Sequence, residues 1–158
     1  MNLNNIFKNF VFAGVLISAP LYPSHIKTPQ DLGDWLKNNF TYQSEEVDYW
    51  NTPEETVNAK AGDCDDYAIL SEFILKDLGY DAWFIVMVNR TPDQSSHAIT
   101  IIREKDMTYS FISNTNYRRT NSASWESMLD NYWHQYKEVY ICRAKSVCKS
   151  IYTIKGAL

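Results

Sequence analysis

The run Ala82-Trp83-Phe84-Ile85-Val86-Met87-Val88 constrains this chain more than any other stretch. It is continuous rather than alternating, and its branched and aromatic side chains suit a pleated backbone, so it predicts a central strand covered on both faces. Such a strand needs a packed layer on each side. Just upstream, Asp63 is a natural N-cap, Asp66 occupies the reciprocal N3 position, and Ala68, Ile69, Phe73, Ile74 and Leu78 recur at helical spacing. Gly79 closes the pattern as a left-handed C′ residue, which predicts a helix over 64–78 with Cys64 in its first turn.

Two earlier helices carry the same kind of start signal. Thr28-Pro29-Gln30-Asp31 opens one that runs to about Phe40, with Leu32, Trp35 and Leu36 on one face. Thr52-Pro53-Glu54-Glu55 opens a short one to about Lys60, which Ala61-Gly62 ends. Downstream the pattern changes to strands. Residues 97–103 and 108–114 predict a hairpin with a two-residue turn at Lys105-Asp106, and 139–142 and 151–154 predict two late strands. Between them, residues 124–136 predict a helix with Trp125, Met128, Leu129 and Trp133 as its apolar stripe. Helices first and antiparallel strands after imply an α+β fold, with N-terminal helices packed on one face of an antiparallel β-sheet. At 158 residues, 45% of them hydrophobic, one domain over 25–158 accommodates these elements, preceded by an apolar segment over 1–24.

Cys64 lies where thiol chemistry is easiest to arrange. The thiolate is the nucleophile, and the first turn of a helix presents unpaired N–H groups and about half a unit of positive charge, which favour a thiolate and can hold an oxyanion. His97, which opens the hairpin, supplies a base. Alone it would read as a packing residue; the upstream cysteine gives it meaning. With a two-residue turn His97 faces Asn114, whose amide oxygen can accept the imidazole N–H and fix the ring. A turn one residue different in length puts Ser113 or Thr115 there instead. The candidates are therefore Cys64 as nucleophile, His97 as base and later acid, and Asn114 as orienter. Trp50 and Ser113 stand as oxyanion or groove candidates, beside the Cys64 N–H itself. Three carboxylates oppose the thiolate: Asp63, Asp65 and Asp66 all raise a nearby thiol pKa. Asp63 and Asp66 can be engaged in capping, whereas Asp65, alone or with Asp66, is a candidate calcium ligand or a partner for Arg118 or Arg119. The thiol chemistry itself requires no cofactor.

The formal charge is −4, and residues 137–158 are basic, so the rest is more acidic still. An acidic body repels phosphate, which excludes nucleic acid as a partner and leaves a protein or peptide substrate handled by a monomer. Residues 10–22 are uncharged and follow Lys8, in the manner of an export signal, although Pro20 after Ile17-Ser18-Ala19 makes a poor cleavage site. That stretch is too short for a transmembrane span, which needs about 20 residues. Cys142 and Cys148 are close enough to pair across a short loop, leaving Cys64 free. This suits a thiol protein of the periplasm or cell envelope; the alternative is a reducing cytoplasm with three unpaired thiols.

The segment Trp50-Asn51-Thr52-Pro53-Glu54-Glu55-Thr56, then Gly62-Asp63-Cys64-Asp65-Asp66-Tyr67-Ala68-Ile69-Leu70, and later His97-Ala98, resembles the bacterial transglutaminase-like cysteine proteinase family over about residues 28–117. The resemblance implies a papain-like fold with a Cys-His-Asp triad, in a family that includes calcium-dependent periplasmic proteases that clip surface adhesins. It assigns Cys64 as nucleophile and His97 as base. Where the family usually has Asp followed by Asn, this chain has Ser113-Asn114, so either Asn114 takes the orienting role or the triad is incomplete. Three functions follow: a thiol hydrolase acting through an acyl-enzyme, an acyl transferase to amines, or a binding module that kept the fold without the chemistry.

Overall fold

A computed structural model of the chain describes residues 20–44, 49–91, 95–142 and 147–155; residues 10–19 of the apolar stretch lie outside them. Helices α1 (Pro29–Asn39) and α2 (Pro53–Ala59) begin where the capping signals place them, each with a complete capping box. Strands β1 (Thr41–Tyr42) and β2 (Ala61–Gly62) pair in parallel and tie the end of α1 to the residue before Asp63. Helix α3 (Cys64–Asp77) then starts from the Asp63 cap. It ends through Gly79 at φ 83, with the Tyr80 N–H donating to the Leu75 carbonyl at 2.9 Å, the wrap-around bond that satisfies a terminal carbonyl.

The sheet contains β3 (Asp81–Asn89), β4 (His97–Arg103), β5 (Tyr109–Ser113), β6 (Asn116–Ser122), β7 (Tyr136–Cys142) and β8 (Cys148–Thr153), with α4 (Trp125–Tyr132) between β6 and β7. Its order is β6-β5-β4-β3-β7-β8 and every pairing is antiparallel. On one face, Leu32 and Leu36 of α1 and Leu70 and Ile74 of α3 pack on Ala82, Ile102 and Ile112. On the other, Met128 and Leu129 of α4 pack with Ile85, Met87, Ile99, Ile101 and Phe111. Each buried aliphatic side chain contributes about 1.5–3 kcal/mol. The central strand is thus covered twice, as its unbroken apolar run requires, but helices lie on both faces of the sheet rather than one.

Three local expectations are corrected. The β4–β5 connection is one residue longer than the predicted turn: the Glu104 N–H donates to the Thr108 carbonyl at 2.8 Å and Met107 sits at φ 67. This is the three-residue loop that ends in a left-handed residue, here filled by Met rather than Gly. Helix α4 stops at Tyr132, and a turn from the Trp133 carbonyl to the Tyr136 N–H starts β7 where helix was expected. Strand β6 was not anticipated because its residues are polar. It is an edge strand, with Tyr117, Thr120 and Ser122 half-buried and the arginines outside, a composition that discourages edge-to-edge pairing.

Candidate active site

Asp63 accepts the Asp65 N–H at 3.2 Å, so the cap of α3 is formed by the residue directly before the cysteine. Asp66 is fully buried and accepts three bonds: from the Asp63 N–H at 3.2 Å, the Asn51 N–H at 2.8 Å and Asn51 Nδ2 at 2.8 Å. The capping box therefore also fastens the Trp50-Asn51 segment beside the first turn. Trp50 stands edge-on to Phe84 at 5.1 Å and joins Cys64 against the buried patch of Ala68, Phe84, Ala98 and Cys142. Gly62 is needed for this closeness. A Cβ there would lie 2.6 Å from Asp66 Oδ2 and 2.7 Å from Asp66 Cβ. Gly62→Ala is expected to lower stability by about 1–3 kcal/mol through this overpacking, read as a shift in the urea midpoint. An unchanged midpoint would show that Asp66 has room to move.

The Cys64 sulfur is half-buried and receives the backbone N–H of Ala98, the residue after His97. Burial, and then the charges of Asp63 and Asp65, push the thiol up from its ordinary 9.0 to about 11, against the lowering effect of the N–H groups. The helix end alone does not produce a thiolate here. His97 is the first residue of β4, and its Nε2 lies 2.8 Å from Ser113 Oγ. Its ring sits 5.5 Å from Trp133 and stacks on Tyr136 at 6.3 Å, and burial lowers its pKa below the ordinary 6.5. Burial, and then the charge Cys64 carries when ionised, raise the Tyr136 phenol. These contacts gather Cys64, His97, Ser113, Trp50 and Tyr136 at one end of the sheet.

Asn114 is not His97's partner. The longer turn sets Thr100 opposite Ile112 and Ile101 opposite Phe111, so odd-numbered residues of β4 and β5 share a face and Ser113 lies diagonally beside His97. A one-residue slip exchanges faces, which removes Asn114 from the imidazole. Asn114 sits at φ 52 in the link to β6, and its buried Oδ1 has no hydrogen-bond donor among the described residues. The expected Arg118 and Arg119 partnership with the acidic run is also absent: Arg119 pairs with Asp106 and with Glu104, and Arg118 lies over the Tyr132 ring at 5.0 Å. Trp133 and Tyr136 were read as part of a helix, and nothing local in the sequence marks them as neighbours of His97.

Asp63, Cys64 and Asp65 present ligand atoms within 4.8 Å of one another. Calcium takes six to eight oxygen ligands, and a thiol is a poor one. Both Asp66 oxygens are engaged by Asn51 and Asp63, so of the acidic run Asp63 and Asp65, rather than Asp65 and Asp66, are the carboxylates that would hold a cation such as calcium.

The two shifts fix a pH window for stability. A thiol raised on folding stays protonated while its unfolded counterpart ionises, so its contribution is lost as pH rises from 9.0 towards about 11. A histidine lowered on folding removes stability as pH falls through 6.5, where the unfolded chain takes up the proton first. Urea midpoints are expected to fall between pH 9 and 10.5 more in the native chain than in Cys64→Ala; parallel declines would contradict the thiol's part.

Residues 17–117 match the transglutaminase-like domain family. No curated protein matches the chain. Among solved structures, calcium-bound LapG of Legionella pneumophila is similar with a TM-score of 0.54 at 18% identity, covering 82% of this chain and 71% of that one. Its EGTA-treated form gives 0.50 at 15%, with 77% and 69% covered. A candidate cysteine protease from Cytophaga hutchinsonii gives 0.44 at 22%, covering 54% of this chain, which spans 29% of that protein. The likeness to LapG is one of fold, helices packed on an antiparallel sheet.

Proposed function

The chain belongs to the transglutaminase-like domain family, and from that premise we propose that it is a thiol-dependent hydrolase of peptide or isopeptide bonds. Cys64 is the nucleophile and His97 the base. The observation that supports this reading is that the backbone N–H of Ala98, the residue after His97, reaches the Cys64 sulfur. In the tautomer whose Nε2–H donates to Ser113 Oγ, 2.8 Å away, Nδ1 is the unprotonated nitrogen that can accept a proton. His97 takes the thiol proton as sulfur bonds to the substrate carbonyl carbon. It then gives that proton to the leaving amine as the C–N bond breaks. Water attacks the thioester with His97 again as base, releasing the acid and the thiol. The Cys64 N–H at the first helical position faces the developing oxyanion, with Trp50 as the second candidate donor.

Because the resting pair is a neutral thiol beside a neutral imidazole, the acid limb of kcat/KM follows His97 and is expected below its ordinary 6.5. A limb above 7 would contradict the assignment. The test of the reading is cleavage of peptides by the purified chain, blocked by iodoacetamide at Cys64, the free cysteine among the described residues. Equal labelling of Cys64 in native and denatured protein, with no cleavage, would refute it. Products formed with an added amine separate hydrolysis from acyl transfer.

A second reading has its own support. His97 is held by a hydroxyl rather than a carboxylate, and the thiol is raised, the arrangement of a module that binds without turnover. In that case Cys64→Ala leaves the biological activity intact. The disulfide between Cys142 and Cys148 supports export to an oxidising compartment. Among the described residues no helix is long and apolar enough to cross a membrane.

A further inference from the structure

A cleft of about 620 Å³ opens beyond Ser113, lined also by Arg118, Arg119, Tyr132 and Trp133. Phe111 faces Arg118 across β5 and β6, so Arg118 shares the sheet face that carries His97 and Ser113. The two arginines differ. Arg119 is neutralised by Asp106 and Glu104, whereas Arg118 is exposed and has no ion pair among the described residues. It rests over the Tyr132 ring at 5.0 Å, which fixes a guanidinium without cancelling its charge. Trp133 lines the same cleft, and its buried Nε1–H has no acceptor among the described residues, in a ring 5.5 Å from His97. A fixed fork of guanidinium donors and an unsatisfied indole N–H call for a planar anionic acceptor. At the other end of the site, Asp63 and Asp65 flank Cys64 and repel such a group.

We propose that this cleft is a subsite for an acidic side chain of the substrate, with Arg118 as the residue that selects it. The inference rests on the hydrolase reading, because it assigns a place to a residue of the cleaved chain. The charge asymmetry gives the substrate a direction: its Asp or Glu lies towards β6, and its neutral or basic residues lie beside Cys64.

The test separates binding from turnover. The full Cys64→Ala chain, labelled at the indole nitrogens, is titrated with N-acetyl-aspartate methylamide and with its asparagine counterpart, and the Trp133 signal is identified by Trp133→Phe. The Trp133 N–H is expected to shift with the aspartate probe at least about tenfold more tightly than with the asparagine one. Arg118→Gln should erase that difference. No shift, or equal affinity for both probes, overturns the subsite even in a protein that cleaves peptides. In parallel, wild-type cleavage of a proteome-derived peptide library should be enriched in Asp or Glu at one position, and Arg118→Glu should reverse the preference to Lys or Arg. Selective binding of the aspartate probe together with no cleavage of any peptide would overturn the hydrolase reading and leave the carboxylate site standing.

Discussion

Cys64→Ala is expected to lower peptide hydrolysis by about 10⁴-fold or more, the scale on which removal of a catalytic nucleophile acts. Stability at pH 7 should change little. The sulfur packs half-buried against small neighbours, Ala68 and Ala98, and its replacement by a hydrogen removes one atom from that patch. The thiol titre falls from one to none, since Cys142 and Cys148 are joined. A folded variant with undiminished hydrolysis would place the chemistry elsewhere. A folded variant that has lost every biological effect along with hydrolysis would refute the binding-module reading.

Asp66→Ala is expected to be the most destabilising substitution near the site. It removes a buried acceptor for three bonds and strands the Asn51 and Asp63 N–H groups at a partly buried position. Each unsatisfied buried donor costs about 1–3 kcal/mol, so a loss of about 3 kcal/mol or more is expected in urea unfolding. Trp50 is released from the cysteine at the same time, so the residual activity of the folded fraction should fall as well. Asp66→Asn keeps one acceptor oxygen and should lie between the two. A loss below about 1 kcal/mol for Asp66→Ala would mean that the Asn51 segment is held by other contacts.

The parts of the fold that were legible in the sequence are those with local causes. Thr28, Thr52 and Asp63 each cap their own helix within three residues, and a capping box is complete in the chain segment that contains it. The central strand was legible because burial on two faces leaves no room for polar residues. The hydrogen-bond partner of His97 was not. Its identity depends on parity along β5, which depends on one extra residue in a turn where Met107 adopts a left-handed conformation without the glycine that would announce it. The same holds for β6, whose polar residues are paired to β5 by backbone bonds that composition does not encode. Cys64 was correctly placed at a helix start, yet the expected thiolate is not the resting form, because burial and two carboxylates outweigh the helix end. Local signals thus locate the cysteine, and tertiary contacts decide its protonation.

The pairing of sulfur and imidazole is tested most directly by the rate of Cys64 alkylation with iodoacetamide between pH 5 and 11, in the native chain and in His97→Ala. The native profile is expected to rise with the deprotonation of His97, below 6.5, and again towards about 11 as the thiol ionises unaided. His97→Ala should keep only the second rise and react about 10²-fold more slowly at pH 7, the lower end of what a general base supplies. Superimposable profiles for the two proteins would contradict the account.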